Sequence, residues 1–269
     1  MDLLKREIAP ITPEAWRQID EEARRVLRLD LAGRKLVDLD GPHGWAYAAV
    51  NTGELVLRPD GALGVPWGLR VVLPLVEIRV PFELPIMVLD GASRGAMLDL
   101  PAVVRAAEKT ALAEDTAIFN GFKAGGMEGI IPGSPHAPVA IPDDYADYPS
   151  TVGDAVETLR RAGINGPYAL ALGPDSYSKL AQAAEDGNPI RERVEHFLDG
   201  PMVLAPAIDG AVLLSHRGGD FQLSVGQDLS VGYAGHDKDK VHLYLTESFA
   251  FRVLERAAAV YLKPKRRAK

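Results

Sequence analysis

Two long segments of the chain carry apolar residues at helical spacing. After Thr12, apolar side chains recur every three or four positions as far as Leu31, with polar residues between them. A threonine followed by proline is typical of a helix N-cap and first turn, so the pattern predicts an amphipathic helix that ends near Gly33. The same spacing, opened by another proline, predicts a second long helix from Pro101 to Ile118.

Strict alternation of apolar and polar residues predicts strands in other segments. Residues 76–84 alternate over their whole length, and apolar side chains line one face of residues 241–254. Residues 221–225 and 229–233 alternate in the same way, and a segment that begins with glycine separates them. The pattern therefore predicts a pair of strands joined by a turn at 226–228.

The middle of the chain indicates a separate lobe. Residues 121–149 are rich in glycine, proline and aspartate, which is typical of a boundary between structural units. The residues after them switch between helical and strand patterns, which predicts a compact α/β lobe. The predicted elements are helices at 151–162, 175–184 and 189–198 and strands at 168–172 and near Met202 and Val212.

Residues 52–68 predict a β-hairpin that cannot bury its own apolar side chains. Pro59-Asp60-Gly61 has turn chemistry and lies between two short apolar runs. A two-stranded ribbon has no core of its own, so its apolar side chains need a neighbouring surface. Oligomerisation is the natural explanation. The apolar residues of this hairpin are Leu55, Leu57, Leu63, Val65 and Trp67.

Composition excludes several classes of protein. The chain has 269 residues, a net charge of -7 and no broad basic segment, which argues against nucleic acid as the main partner. It has no cysteine, so disulfides, thiolate catalysis and cysteine-bound zinc are excluded. Charges near the N-terminus and the absence of a long apolar run argue against a signal peptide and a membrane helix. We expect a soluble, cytoplasmic protein.

Candidate catalytic motifs are incomplete. The segment RGGDF is close to the GGDEF signature of nucleotide cyclases, but Asp220 is followed directly by Phe221, and the acid that would hold the metal is missing. The six histidines are scattered, and the chain has no HExxH motif. Glu247 lies on an otherwise apolar face, where an ion pair is the expected role. The residues predict no catalytic site and no metal site.

Several segments, taken together, resemble the shell protein of encapsulins, which are bacterial nanocompartments. The similarity extends from Met1 to about Leu262. It implies an α+β chain with the Hong Kong 97-like phage major capsid protein fold. It also implies a self-assembling shell subunit that encloses a cargo enzyme and controls small-molecule access through pores. The segments are LLKREIAPITPEAW, LAGRKLVDLDGPHGW, GINGPYALALGPDSY, RGGDFQLSVGQDLSVGY and LTESFAFRVLE.

The resemblance implies a division of the chain into the parts of a capsid protein. An N-terminal helix would face the lumen, an extended loop would lie over the next subunit, and an axial domain would surround the fivefold axis. The implied boundaries are 1–47 for the lumenal helix and the start of the peripheral domain, 48–72 for the extended loop, 73–132 for the peripheral domain with its spine helix, 133–214 for the axial domain, 215–262 for further peripheral strands and 263–269 for a basic tail.

The resemblance also implies two functional sites. A groove on the lumen wall would bind the C-terminal targeting peptide of the cargo, with Arg34 and Asp38 supplying orienting polar contacts and the other members supplying apolar burial. Ordinary packing would explain Leu27 and Val37 equally well. The implied groove residues are Leu27, Leu31, Arg34, Val37, Asp38 and Val231, and the implied fivefold pore residues are Glu185, Asp186, Gly187 and Asn188.

The implied partners are further copies of the same chain and a cargo enzyme. Chain length is similar to that of the smallest, sixty-subunit members, and the cargo by analogy is a ferritin-like protein or a dye-decolourising peroxidase. Some members stack a flavin on a tryptophan, but Met87 occupies the matching position and offers no ring, so we expect no flavin here even though Arg79 is present.

Two alternatives remain open from the sequence. A phage major capsid protein would share the fold and would package nucleic acid, which the acidic balance disfavours. A protease or hydrolase would need a nucleophile paired with a base, and we identify no such pair in the sequence.

Overall fold

The computed structural model describes residues 3–58, 64–185 and 188–265. The two predicted long helices are confirmed as α1 and α3, and Thr12 caps α1 by accepting the N–H of Ala15 at 3.3 Å. No helix in this part of the chain combines the length and apolar character that a membrane span requires. The α-helices are α1 (Pro13–Asp30), α2 (Ile86–Ser93), α3 (Pro101–Phe119), α4 (Ile130–Gly133), α5 (Tyr148–Arg161), α6 (Pro174–Gln182) and α7 (Ile190–Glu195).

Most strands belong to two sheets of five strands each. The predicted strands at 76–84, 168–172 and 241–254 are confirmed within one or two residues at either end. The strands are β1 (Asp38–Asp40), β2 (Ala49–Arg58), β3 (Trp67–Pro74), β4 (Val76–Pro85), β5 (Val139–Ala140), β6 (Tyr168–Leu172), β7 (Ala184–Glu185), β8 (Asn188–Pro189), β9 (Asp199–Leu204), β10 (Ala211–Ser215), β11 (Phe221–Val225), β12 (Ser230–His236), β13 (Lys240–Val253) and β14 (Ala259–Lys263).

The first sheet is built around β13, the longest strand. β4 runs antiparallel along one edge of β13, β11 and β12 lie along the other edge, and β1 extends the sheet beside β11. The apolar faces of α1 and α3 share one buried cluster with this sheet, in which Ile19, Val103 and Leu243 are at most 1% exposed. The first helix is therefore held against a rigid support.

The prediction that residues 221–225 and 229–233 form a strand pair is wrong. Both segments are strands, but β11 and β12 each pair with β13 and not with each other. With 14 residues, β13 is long enough to accept both along one edge. Residues 226–228 do not turn back, because Gly226 and Gln227 exchange backbone hydrogen bonds with Ser248 at the junction between the two pairings.

The second sheet forms the core of the predicted α/β lobe. Its order is β5-β14-β10-β6-β9, and every residue of the central strands β6 and β10 is buried. α5 packs beside β10 and β14. The predicted helix at 189–198 is present but shorter, since α7 ends at Glu195. β14 joins this sheet, whereas the layout implied by the resemblance placed residues 215–262 with the first sheet.

The predicted hairpin at 52–68 is confirmed by the antiparallel pairing of β2 and β3. The turn at Pro59-Asp60-Gly61 and Leu63 lie outside the described residues. Val56 pairs with Leu69 on one face of the ribbon, and Leu57 pairs with Gly68 on the other. Leu57 is 71% exposed and Leu69 is 55% exposed, so both faces present apolar side chains to solvent.

Candidate functional site

A groove of about 530 Å³ runs beside the C-terminal half of α1, between this helix and the start of β12. We call it the helix groove. Apolar side chains from both elements form its base, and charged side chains form its rim. The lining residues are Arg6, Asp20, Ala23, Arg24, Leu27, Arg28, Leu31, Arg34, Lys35, Asp228, Leu229, Ser230, Val231 and Leu245.

The base of the helix groove follows from the helical period of α1. Ala23, Leu27 and Leu31 are four residues apart, so they form one row along the helix. Val231 and Leu245, which face each other across the β12–β13 pairing, complete the base. All five side chains also belong to the core of the first sheet. The groove is therefore rigid and apolar, as a preformed ligand site usually is.

Arg34 closes one end of the groove, but its guanidinium is bound by its own chain. It donates to Glu114 at 2.8 Å and to Asp228 at 2.9 Å, and it also contacts Glu247. The side chains of Glu114 and Glu247 are fully buried. Arg34 is thus the centre of a buried ion-pair cluster, and the expected ion pair of Glu247 is confirmed. These bonds leave it little capacity to orient a ligand.

The buried cluster contains more carboxylates than cations, and this affects proton binding. Burial, and next the negative charge of Glu114, raise the pKa of Glu247 well above its ordinary value, against the opposing charge of Arg34. Neighbouring Asp115 is also buried, and burial raises its pKa to about 7 although it accepts backbone N–H groups from Gly33 and Ala32. At neutral pH the cluster therefore retains protons that exposed carboxyl groups would have lost.

Asp115 holds the segment that carries Arg34. Its carboxylate accepts the N–H of Ala32 at 3.0 Å and that of Gly33 at 2.8 Å, directly after the end of α1. A Cβ at Gly33 would clash with the Cδ1 of Ile118, so a larger residue here would require the buried side chain of Ile118 to shift. The sequence analysis missed Glu114, Asp115 and Asp228 as members of the site. The available signal was two adjacent acids in an alanine-rich helix.

Val37 and Asp38 do not line the helix groove. They contribute to a second pocket of about 290 Å³ with the loop that follows β10. The Asp38 carboxylate accepts the N–H of Gly219 at 2.6 Å. Among the six implied peptide-binding residues, the structure brings together Leu27, Leu31, Arg34 and Val231 and places the other two elsewhere.

The RGGD segment of the same loop is held by an internal ion pair. The guanidinium of Arg217 donates to the Asp220 carboxylate at 3.0 Å and 2.8 Å. The carbonyl oxygen of Asp220 accepts the N–H groups of Leu254 and Glu255. Asp220 therefore fixes the entry to β11.

Two of the implied pore residues lie in the described part of the chain. Glu185 and Asn188 pair in the short ribbon β7–β8, and Glu185 also forms an ion pair with Arg193 of α7. The ribbon is exposed at both strands. Asp186 and Gly187 lie outside the described residues.

Ser224, Asp40 and His43 resemble the parts of a hydrolase triad but are connected in the wrong order. The hydroxyl of Ser224 donates to one oxygen of Asp40 at 2.9 Å, and His43 contacts the other oxygen at 2.9 Å. A serine nucleophile needs the imidazole beside its hydroxyl, with the carboxylate behind the imidazole. Ser224 is also only 1% exposed, so these three side chains do not support hydrolysis.

Met87 lies at the start of α2 and is 84% exposed. The guanidinium of Arg79 stacks over the ring of Tyr244, 4.2 Å from its centroid. Arg79 is therefore engaged with an aromatic ring of its own chain.

Comparison with known proteins gives consistent matches over nearly the whole chain. Residues 1–250 match the family described as "Encapsulating protein for peroxidase". The type 1 encapsulin shell protein of Rhodospirillum rubrum is 44% identical over 98% of this chain and 97% of its own length. The corresponding protein of Mycobacterium tuberculosis is 41% identical over 97% of this chain and 99% of its own length.

Solved structures at low sequence identity share the fold. The virus-like particle from Pyrococcus furiosus covers 93% of this chain and all of its own at 15% identity, with a TM-score of 0.68. The structure described as Mycobacterium phage Adephagia covers 89% of this chain and 91% of its own, also at 15% identity, with a TM-score of 0.61. The α+β fold is that of Hong Kong 97-like capsid proteins. The chain belongs to the encapsulin shell proteins and is a self-assembling shell subunit.

Proposed function

We propose that the assembled shell encloses a cargo enzyme and holds it through a peptide segment that lies in the helix groove. The observation that carries this proposal is the rigid apolar base of the groove beside α1. From Asp20 to Leu31, α1 advances by about 16 Å, at 1.5 Å per residue. An extended peptide of about five residues covers that length. The groove is thus matched to a short linear segment rather than to a folded domain.

The row of Ala23, Leu27 and Leu31 determines what such a segment must contain. Apolar side chains of the segment would be buried between this row and Val231 on the opposite wall. Each methylene that leaves water contributes about 0.8 kcal/mol, so two or three aliphatic side chains can supply most of the favourable binding free energy of the segment. Arg34 stabilises one end of the groove through its ion pairs and does not orient the peptide.

Closure of the shell needs contacts between copies, and the hairpin β2–β3 is the surface best suited to supply them. Its two faces carry apolar side chains that remain exposed among the described residues. We place it over the neighbouring subunit, in a closed assembly of sixty copies, as chain length suggests. Repeated head-to-tail contacts of this kind close only in a symmetric assembly.

The family description, which names peroxidase, supports a peroxidase as cargo. A ferritin-like protein is the second candidate. In this proposal the chain has no catalysis of its own, the shell is cytoplasmic, and residues around Glu185 and Asn188 surround a pore for small molecules. The chemistry belongs to the enclosed enzyme, and the shell controls what reaches it.

A substitution in the groove that spares the core tests the proposal. Leu229 lines the groove, is half-buried and packs against the edge of the core, so Leu229→Asp places a charge beside the bound segment and leaves the fully buried side chains in place. Leu29→Asp is the control. Leu29 lies on the part of α1 that borders the groove, but it is 64% exposed and does not line the groove. Shells are purified from the host and their enzyme content is measured by quantitative mass spectrometry.

The expected result is that Leu229→Asp shells assemble normally but retain about a tenth of the wild-type cargo or less, because a buried charge costs more than 1.4 kcal/mol of binding free energy. Leu29→Asp shells should retain all of it. Equal cargo content in wild-type and Leu229→Asp shells would reject the groove as the cargo site.

A further inference from the structure

The arginines of the N-terminal segment differ in whether they have partners. Three of them form ion pairs with acids on α1. Arg6 pairs with Asp20, Arg17 pairs with Glu14 and Glu21, and Arg25 pairs with Glu22. Over residues 3–58, 64–185 and 188–265, neither Arg24 nor Arg28 has an ion-pair or hydrogen-bond partner. Both are exposed and both line the helix groove. Glu14, Asp20, Glu21 and Glu22 are thus engaged by other arginines, and Arg24 and Arg28 face the groove.

The groove is positively charged in a chain whose net charge is negative. Its lining has five cationic side chains and two carboxylates, while the whole chain carries a net charge of -7. Both carboxylates are occupied, since Asp20 pairs with Arg6 and Asp228 pairs with Arg34. Any further anion at the rim must therefore come from the molecule that occupies the groove.

We propose that the cargo segment presents an acidic side chain, aspartate or glutamate, which Arg24 and Arg28 bind at the rim of the groove. This inference rests on the proposed function of the groove as the cargo site and adds the charge of the peptide. The two arginines are four residues apart, so their positions on α1 are separated by about 6 Å along the helix. One carboxylate can lie between the two guanidinium groups, which bind carboxylates through paired N–H donors.

The position of the arginines favours a side chain over a chain terminus. Arg24 and Arg28 lie beside the middle of the apolar row, between Asp20 at one end of the groove and Lys35 at the other. A peptide whose apolar side chains fill the base would have residues on both sides of this point. The carboxylate that meets the arginines is therefore that of an internal residue of the segment.

The test measures loading of a fluorescent reporter that carries an eight-residue C-terminal tail of alternating leucine and serine. One central serine is replaced by aspartate in the acidic tail and by asparagine in the neutral tail. Each reporter is co-expressed with wild-type shells, with Leu229→Asp shells, with the double variant R24Q/R28Q, or with the control R17Q/R25Q. The control removes the same two charges from the same helix at positions that already have partners.

The amount of reporter per shell should be about five-fold higher for the acidic tail than for the neutral tail in wild-type and R17Q/R25Q shells, as expected for an ion pair at a partly exposed site. In R24Q/R28Q shells the ratio should fall to about one. High salt should lower the ratio in wild-type shells, because the arginines are exposed.

Each other outcome overturns a defined part of the account. Equal loading of both tails in wild-type shells, with loading lost in Leu229→Asp, would keep the groove as the cargo site and reject recognition of an acidic side chain. A five-fold ratio that persists in R24Q/R28Q would reject these two arginines. If neither tail loads into wild-type shells, both the proposed function of the groove and the acidic preference are contradicted.

Discussion

The helix groove and the hairpin β2–β3 both expose apolar surface, but they differ in how that surface is supported. The groove residues also belong to the core of the first sheet, so the groove keeps its shape without a ligand. The described part of the hairpin is a two-stranded ribbon with exposed apolar side chains on both faces, and such a ribbon has no core of its own. A supported concave surface suits a small segment of another protein, whereas an unsupported ribbon needs a large partner surface, which further copies of the chain provide.

The largest expected effect is the loss of assembly when the hairpin becomes charged. Leu57 and Leu69 lie on opposite faces of the ribbon, so L57D/L69D places a carboxylate in the contact on either side. We expect this variant to elute as a monomer or small oligomer in size-exclusion chromatography, with unchanged circular dichroism, because neither side chain belongs to the core of its own chain.

Leu229→Asp should give the opposite result to L57D/L69D. Its subunits should form normal shells, but those shells should contain less cargo. Normal shells from L57D/L69D would show that the ribbon makes no essential contact between copies. Loss of shells in Leu229→Asp would mean that the groove and the assembly surface are not separate.

Next in size is the effect of Arg34 on stability. Arg34→Ala leaves the buried carboxyls of Glu114 and Glu247 without their cation, which typically costs about 3–5 kcal/mol of unfolding free energy. Arg17→Ala, which breaks only exposed ion pairs on α1, should cost less than about 1 kcal/mol. Chemical denaturation of the two variants measures the difference. Similar losses would contradict the structural role given to Arg34.

The next prediction concerns the pH dependence of the free energy of unfolding. The folded-state pKa values of Asp115 and Glu247 are raised, so the folded chain binds these protons more tightly than the unfolded chain. The stabilisation of the folded chain by the bound proton of Asp115 is complete below about pH 4. It is lost as the pH rises toward 7, the pKa of Asp115. For Asp115 the full change is on the order of 4 kcal/mol.

Melting temperatures at pH 5 and pH 8 test whether stability falls as the pH rises. The wild type should melt at a lower temperature at pH 8, and Glu247→Gln, which cannot lose a proton, should show a smaller decrease. Glu192→Gln at an exposed position is the matched control and should behave as the wild type. A higher melting temperature at pH 8 than at pH 5 would contradict the raised pKa values.

The sequence predicted local structure well because local structure depends on short-range patterns. The period of α1, its threonine cap, the alternation in β4 and the two apolar runs of the hairpin are all visible within a few residues. The pairing of β11 and β12 with β13 was not visible, because alternation shows which face of a strand is buried but not which strand lies beside it. The turn-like segment at 226–228 predicted a hairpin, but β11 and β12 both pair with the longer strand β13 instead.

The candidate site was predicted in part, for a similar reason. Leu27 and Leu31 belong to a row that the helical period defines, and Val231 follows from the alternation of β12. The role of Arg34 could not be predicted, since its partners Glu114 and Glu247 are 80 and 213 residues away. Asp38 lies close to Arg34 in the sequence, but Arg34 belongs to the turn Gly33–Lys35, whereas Asp38 begins β1 and contributes to the second pocket.

The most direct test of the account is a cryo-electron microscopy map of shells purified with their native cargo. We predict a closed shell with an extended stretch of about five residues of additional density in the helix groove, over Leu27, Leu31 and Val231. Part of that density should project between Arg24 and Arg28. An empty groove in cargo-filled shells, with peptide density at another surface of the subunit, would contradict the account.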